Sequence, residues 1–272
     1  MTLPALPLRA RRLAAAACLA TAACSGAESG DGKRKTSEGA IDRPTGPPVV
    51  EAIAGGYHGG DVAAVGTVRG TLSLPAGDSA AAAPAAVDSA ILKDRACAGA
   101  RPASPGLDAA IVWLADVRAG KRVPLERRFV IENERCQVSP RVTAAIAGGA
   151  LNVRSEDRTT HRLRFTRVGS GEVEATITQV DDGSVVATDK LLVKPGLFEV
   201  RCLVHPSMRA YVAAFDHPYF AVATEGGTFE LDSVPPGTYK LMAWHERYGT
   251  TEGSVTVAPG QPAQVSLAFA RK

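Results

Sequence analysis

The chain has 272 residues, of which 45% are hydrophobic and 22% charged, with 31 Lys and Arg against 28 Asp and Glu. That length accommodates one or two domains with a proper core, and the composition is that of an ordinary globular protein. The small positive balance gives no argument for nucleic-acid binding, and scarce aromatics beside abundant Ala, Gly and Pro point to short strands and turns.

Residues 1–24 read as an export signal: Arg9, Arg11 and Arg12, then the apolar run LAAAACLA, then TAAC ending at Cys24. The apolar run is too short to span a bilayer permanently. The stretch ATAAC resembles a bacterial lipobox, with Thr21 where that pattern prefers Leu. The resemblance implies lipid on Cys24 and a lipoprotein anchored to a membrane in the periplasm or at the cell surface; an ordinary cleaved signal is the alternative. Residues 25–62 carry Gly, Ser, Pro and charge without sustained period, the composition of a flexible linker, with His58 solvated inside it. Three arginines and no acidic residue leave with the signal, so the remaining chain is formally neutral at 28 basic and 28 acidic residues.

Export implies an oxidising compartment, which constrains the cysteines. Cys18 leaves with the signal and Cys24 takes the lipid. Cys97 and Cys136 are expected to pair, which leaves Cys202 as an odd thiol that needs an occupant.

Residues 63–137 form an N-terminal β segment. GTVRGTLSLPA (66–76) alternates as a strand does, GDSAAAAPAAVDSA (77–90) is a surface loop or helical turn, and AAIVWLADV (109–117) and RRFVIENERC (127–136) are strands. From residue 140 strand signals recur between Gly-Gly, Gly-Ser-Gly, Asp-Asp-Gly and Pro-Gly turns, without a convincing amphipathic helix. The expected fold class is all-β, an antiparallel sandwich across 138–215 followed by a second, smaller sandwich across 216–272. GTFELDSVPPGTYKLMAWH in the second resembles the carboxypeptidase-regulatory-like (transthyretin-like) module, and GTVRGTLSLPA resembles that module's first strand. On that resemblance residues 63–137 would complete the C-terminal sandwich.

Within EVRCLVHPSMRAYV (199–212), Cys202, His205 and Met208 are three residues apart. The flanks are strand-like and Pro206 favours a turn, so the three side chains belong to a loop between strands. Zinc takes Cys and His but not Met, and haem attachment requires a Cys-x-x-Cys-His that is absent. Soft sulfur and imidazole with a weak thioether are the ligands of blue copper, which needs a second His. Of His58, His161, His217 and His245, His161 fits best, following a strand and a polar turn in GGALNVRSEDRTTHRLRF. Taken singly, Cys202 would be a small buried hydrophobe, Met208 a core filler and His161 a strand residue. His217 and His245 read as structural or surface groups, and Trp113 and Trp244 as core.

CLVHPSM resembles the short ligand loop of amicyanin- and plastocyanin-like cupredoxins, a family in which a distant His precedes Cys, His and Met on one loop. The resemblance covers residues 138–215. It implies a Greek-key sandwich with copper at one end, His161, Cys202 and His205 in a trigonal set and Met208 axial. The chain departs from the family at Arg162 and Ser155, where Asn is usual, and at Leu203 and Val204, which replace a Thr-Pro pair. A site with four protein ligands lacks the open position that copper oxidases need, so no enzyme activity is expected. The expected function is single-electron transfer with a redox partner protein. The alternatives are a cell-surface binding or scaffolding protein and a copper carrier. The ring edge of His205 is expected to face solvent among Leu203, Val204 and Pro206, with docking that depends little on salt.

Overall fold

The computed structural model describes residues 56–78, 88–98, 100 and 106–271. The expectations for the signal, for Cys24 and for most of the linker lie outside the described residues. In chain order the strands are β1 (His58–Gly60), β2 (Gly66–Ser73), β3 (Ala110–Leu114), β4 (Ala119–Lys121), β5 (Arg128–Glu134), β6 (Gln137–Ser139), β7 (Val142–Ile146), β8 (Ala150–Ser155) and β9 (His161–Arg167). They continue as β10 (Val173–Gln179), β11 (Ser184–Thr188), β12 (Gly196–Cys202), β13 (Arg209–Phe215), β14 (Phe220–Val222), β15 (Thr228–Val234), β16 (Gly237–His245), β17 (Gly249–Val257) and β18 (Pro262–Ala268). One short helix, α1 (Ser89–Lys93), and 3-10 turns at Arg95–Cys97 and Leu107–Ala109 complete the described structure. No helix among the described residues is long and apolar enough to cross a membrane.

The fold is all-β, with two sandwiches. The first joins a five-stranded sheet, in the order β10-β9-β12-β13-β7, to a four-stranded sheet, β11-β8-β5-β6. Period-two alternation turns Leu163 and Phe165 of β9 and Phe198 and Val200 of β12 into one core, where Ile131, Leu151 and Val153 of the other sheet meet them. Two of its strands, β5 and β6, come wholly or partly from before residue 138: β5 runs parallel to β8, and β6 turns back on β5.

The second sandwich takes strands from both sides of the first in the described sequence: β2 and β3 before it, β14 to β18 after it. Its sheets are β14-β3-β16-β17 and β15-β2-β18. Strand β2 pairs antiparallel with β15 and parallel with β18, and β3 lies between β14 and β16. Val68, Leu72, Leu114, Phe229, Leu241 and Val257 meet in its core. At the turn before β15, Gly227 has φ +76°, and an added Cβ would lie 2.6 Å from the Leu72 carbonyl oxygen. A side chain there meets both a strained backbone and a wall.

Between the two sandwiches, Ile111 of β3 packs with Val142 of β7 and with Tyr211 and Ala213 of β13. This explains why β13 is buried almost throughout: Ala210, Val212 and Ala214 face the first core, while Tyr211 and Ala213 face the seam. Trp113 and Trp244 lie at that seam, half-buried, with Tyr211 and Trp244 ring centroids 4.8 Å apart.

Candidate metal centre

Strand register brings the site together. Cys202 closes β12 and is paired in register with Leu163 of β9, two residues beyond His161. The inward face of β9 runs His161, Leu163, Phe165, and that of β12 runs Phe198, Val200, Cys202. The imidazole and the thiol are therefore the last inward positions of neighbouring strands at one end of the sandwich. The loop that follows is folded back by main-chain bonds: Met208 N–H donates to the His205 carbonyl at 2.9 Å and Cys202 N–H to the Met208 carbonyl at 3.2 Å. In the cupredoxins that the sequence resembles, an Asn after the first His ties the two loops. Here main chain makes a tie, from Leu203 N–H to the Arg162 carbonyl at 2.8 Å.

His161, Cys202, His205 and Met208 are all buried. Cys202 Sγ is 3.9 Å from His161 Nδ1 and 4.0 Å from His205 Nδ1, and the two Nδ1 atoms are 3.4 Å apart. A point equidistant from three atoms so separated lies about 2.2 Å from each, within the roughly 2.0–2.3 Å range of metal–imidazole and metal–thiolate bonds. The donor set thus fits a first-row metal ion that accepts soft sulfur and imidazole together. Met208 packs in the same core as Cys202.

The second carboxyl-bearing layer was not legible as function in the sequence. His161 Nε2 is 2.9 Å from Asp157 Oδ2, and the same carboxylate accepts from the backbone N–H groups of Arg135 at 2.6 Å and Cys136 at 2.8 Å. Burial pushes the Asp157 carboxyl up, but the hydrogen bonds from His161 and the two N–H groups outweigh it and hold it below the ordinary range. Burial opposes charge on His161 too, yet Asp157 and Cys202 raise it to about 9. Burial likewise raises the Cys202 thiol, and His161 together with loop N–H groups, that of His205 at 3.4 Å among them, brings it below its usual value. The metal-free site therefore holds a proton on His161 and eases loss of the proton from Cys202, and a metal ion must displace the proton on the imidazole. The Asp four residues ahead of His161 in SEDRTTH was the signal available for Asp157.

His205 differs from expectation. It is 1% exposed, so its ring edge does not face solvent. Asp94, in the segment joining α1 to the Arg95–Cys97 turn, has Oδ2 at 3.3 Å from His205 Nε2, and Cys97 Sγ is 3.7 Å from the same nitrogen. Cys97 is disulfide-bonded to Cys136, with a Cα–Cα distance of 5.2 Å. Cys202 is the free cysteine among the described residues. Residues far away in sequence cover the ring, a contact that no local motif announces. Leu203 and Val204 are 41% and 40% exposed and are the apolar surface of the ligand loop.

The other histidines are not brought to this site. His217 and His245 are buried, their ring nitrogens 3.1 Å from Tyr219 N–H and from the Gly106 carbonyl respectively, and His58 is exposed on β1.

A model of polysaccharide lyase family 4, domain II, matches residues 210–265. That match does not show the transthyretin-like module that the sequence led one to expect here. A search of curated proteins finds no match. Among solved structures the chain is similar to amicyanin from Paracoccus versutus, at 18% identity and a TM-score of 0.28 over 34% of this chain and 85% of that one. It is similar to a purple cupredoxin from Nitrosopumilus maritimus, at 16% identity and 0.27 over 33% of this chain and 99% of that one. It is also similar to a copper-containing nitrite reductase from Thermus scotoductus, at 17% identity and 0.29 over 54% of this chain and 28% of that one. At these levels of likeness the chemistry is to be argued from the side chains.

Proposed function

We propose that the first sandwich would hold copper through His161, Cys202 and His205, with the Met208 thioether as a weak fourth donor, and that the protein carries single electrons. The observation behind this reading is the buried triangle of two imidazole nitrogens and one sulfur with 3.4–4.0 Å sides, built from the ends of β9 and β12 and the loop after β12. Copper would supply the one-electron couple. The chain's own part is to hold three donors in a water-excluded pocket, so that little rearrangement accompanies a change of charge. With four protein ligands and no position left for a substrate, an electron carrier suits the site better than an oxidase. Lipid on Cys24, an exported location and a redox partner protein belong to the same proposal. Leu203 and Val204 offer that partner a small apolar contact beside Cys202, suited to a weak, transient encounter.

The test is addition of Cu(II) to the metal-free protein. Intense blue or purple colour is expected, because a thiolate–copper bond produces it, and Cys202→Ser should abolish it. Met208→Leu should keep the colour and shift the reduction potential. A Cys202→Ser variant with the wild-type visible spectrum would show that the thiolate is not a ligand. Repeated oxidation and reduction without metal loss separates electron transfer from copper delivery.

A second reading rests on the groove at the seam between the sandwiches, a space of about 530 Å³ lined by Trp113, Leu197, Phe215 and Trp244 among others. It suits a binding module that uses aromatic faces. A protein that takes up no copper yet changes its tryptophan fluorescence with a ligand would favour it.

A further inference from the structure

Both imidazoles of the proposed centre present Nδ1 to the sulfur and Nε2 to a carboxylate, but the two carboxylates are held in different ways. Asp157 belongs to the turn just before His161. Asp94 reaches His205 from 111 positions earlier in the chain, on a segment that lies over the ligand loop.

That segment is fastened at three points. Asp88 caps α1 through Oδ1, which accepts from Ile91 N–H at 2.9 Å, while its Oδ2 accepts from Ser207 N–H at 2.6 Å, on the ligand loop itself. Asp94 accepts from Ala96 N–H at 2.9 Å through Oδ1 and from the Thr159 hydroxyl at 2.6 Å through Oδ2, the oxygen that faces His205. The Cys97–Cys136 disulfide joins the end of the segment to the β5–β6 turn, whose N–H groups bind Asp157. Ligand loop, cap and Asp157 turn are thereby connected around both histidines.

Resting on the copper reading, we propose that residues 88–97 form a cap over the centre and that Asp94 is the positioning residue for His205. Its Oδ2, 3.3 Å from Nε2, favours the tautomer with the proton on Nε2 and Nδ1 free for the metal, and it closes the ring off from solvent. A carboxylate on the far nitrogen raises the basicity of the ligand and stabilises the more highly charged metal ion, so it favours Cu(II) over Cu(I). The cap also removes the His205 edge as a contact for small reagents and for a protein partner.

The test uses the full chain with Asp94→Asn and Asp94→Ala. Asp94→Asn keeps the size and an acceptor oxygen but loses the charge; it is expected to raise the reduction potential while His205 remains covered. Asp94→Ala should weaken Cu(II) retention against a chelator by about 10- to 100-fold, the usual effect of losing such a partner. In the metal-free protein, carbethoxylation of His205 followed by peptide mass analysis should be slow in wild type and in Asp94→Asn and fast in Asp94→Ala. Wild-type potential in Asp94→Asn together with wild-type modification of His205 in Asp94→Ala would overturn the proposal. If the wild-type protein takes up no Cu(II), the copper reading fails, and the modification rates of the metal-free chain still decide whether the cap exists.

Discussion

Four of the chain's histidines are buried, and in three of them the surroundings shift the pKa, upward in His161 and downward in His217 and His245. His161 sits between a carboxylate and a thiol that hold its proton. In His217 and His245 burial dominates and lowers the pKa. His245 is held as the neutral ring, with Nε2–H donating to the Gly106 carbonyl and Nδ1 accepting from Arg247 N–H, both at 3.1 Å. A histidine with a depressed native pKa takes up its proton in the unfolded chain first. Stability is therefore lost as pH falls below the unfolded value of about 6.5 and levels off below the native value. His161, whose native pKa is raised, works weakly in the other direction, because its native state is already protonated in that window while the unfolded state completes its protonation. Urea unfolding of the metal-free protein should give a lower midpoint at pH 5 than at pH 6.5. His245→Gln, which keeps a donor for Gly106, should flatten that dependence, and an unchanged slope would assign the effect to other groups.

Among the elements, the hairpin β12–β13 and the cap divide the work of the site. The hairpin supplies Cys202, His205 and Met208 and is held by ladder bonds on both sides, to β9 and to β7. The cap has one helical turn of five residues, far too short to persist by propensity, so its position depends on Asp88, Asp94 and the disulfide. Cys97 and Cys136 are 39 positions apart. In the chain-entropy account, closing a loop of that size stabilises the fold by roughly 4 kcal/mol. Denatured, non-reduced protein should accordingly show Cys97 and Cys136 blocked to alkylation, with Cys202 reactive. The double variant Cys97→Ala, Cys136→Ala should unfold at a distinctly lower urea concentration, and modification of Cys97 and Cys136 themselves in denatured, non-reduced wild type would refute the pairing.

Across the described residues, the second sandwich combines strands from before and after the first. Strand β2 is flanked by β15 and β18, and β3 by β14 and β16, so residues 216–272 lack the central strand of one sheet and an inner strand of the other. Val68, Leu72 and Leu114 go missing from the core with them. Each fully buried side chain of that kind is worth about 1.5–3 kcal/mol, comparable to a large part of a small domain's net stability. A fragment of residues 216–272 should therefore remain unfolded, with flat circular dichroism and no protected amides. Adding residues 56–123 as a separate peptide should restore protection. A folded fragment would mean that the C-terminal sandwich is autonomous.

The alternation of apolar residues and the Gly and Pro turns made the all-β class legible, because the two-residue period of a strand is a local property. The ligand loop was legible for the same reason: Cys202, His205 and Met208 are carried on one turn, and the soft donors in that spacing have few other uses. His161 could be chosen from the four histidines outside the ligand loop because it begins a strand after a polar turn. What covers His205 could not be read, since Asp94 and Cys97 reach it through packing across more than a hundred residues. The entry of β5 into the first sandwich and the closing of the second by β2 and β3 were likewise decided by the tertiary structure. Strand partners far apart in sequence are selected by how well whole faces bury one another, and that selection is made only when both faces are present.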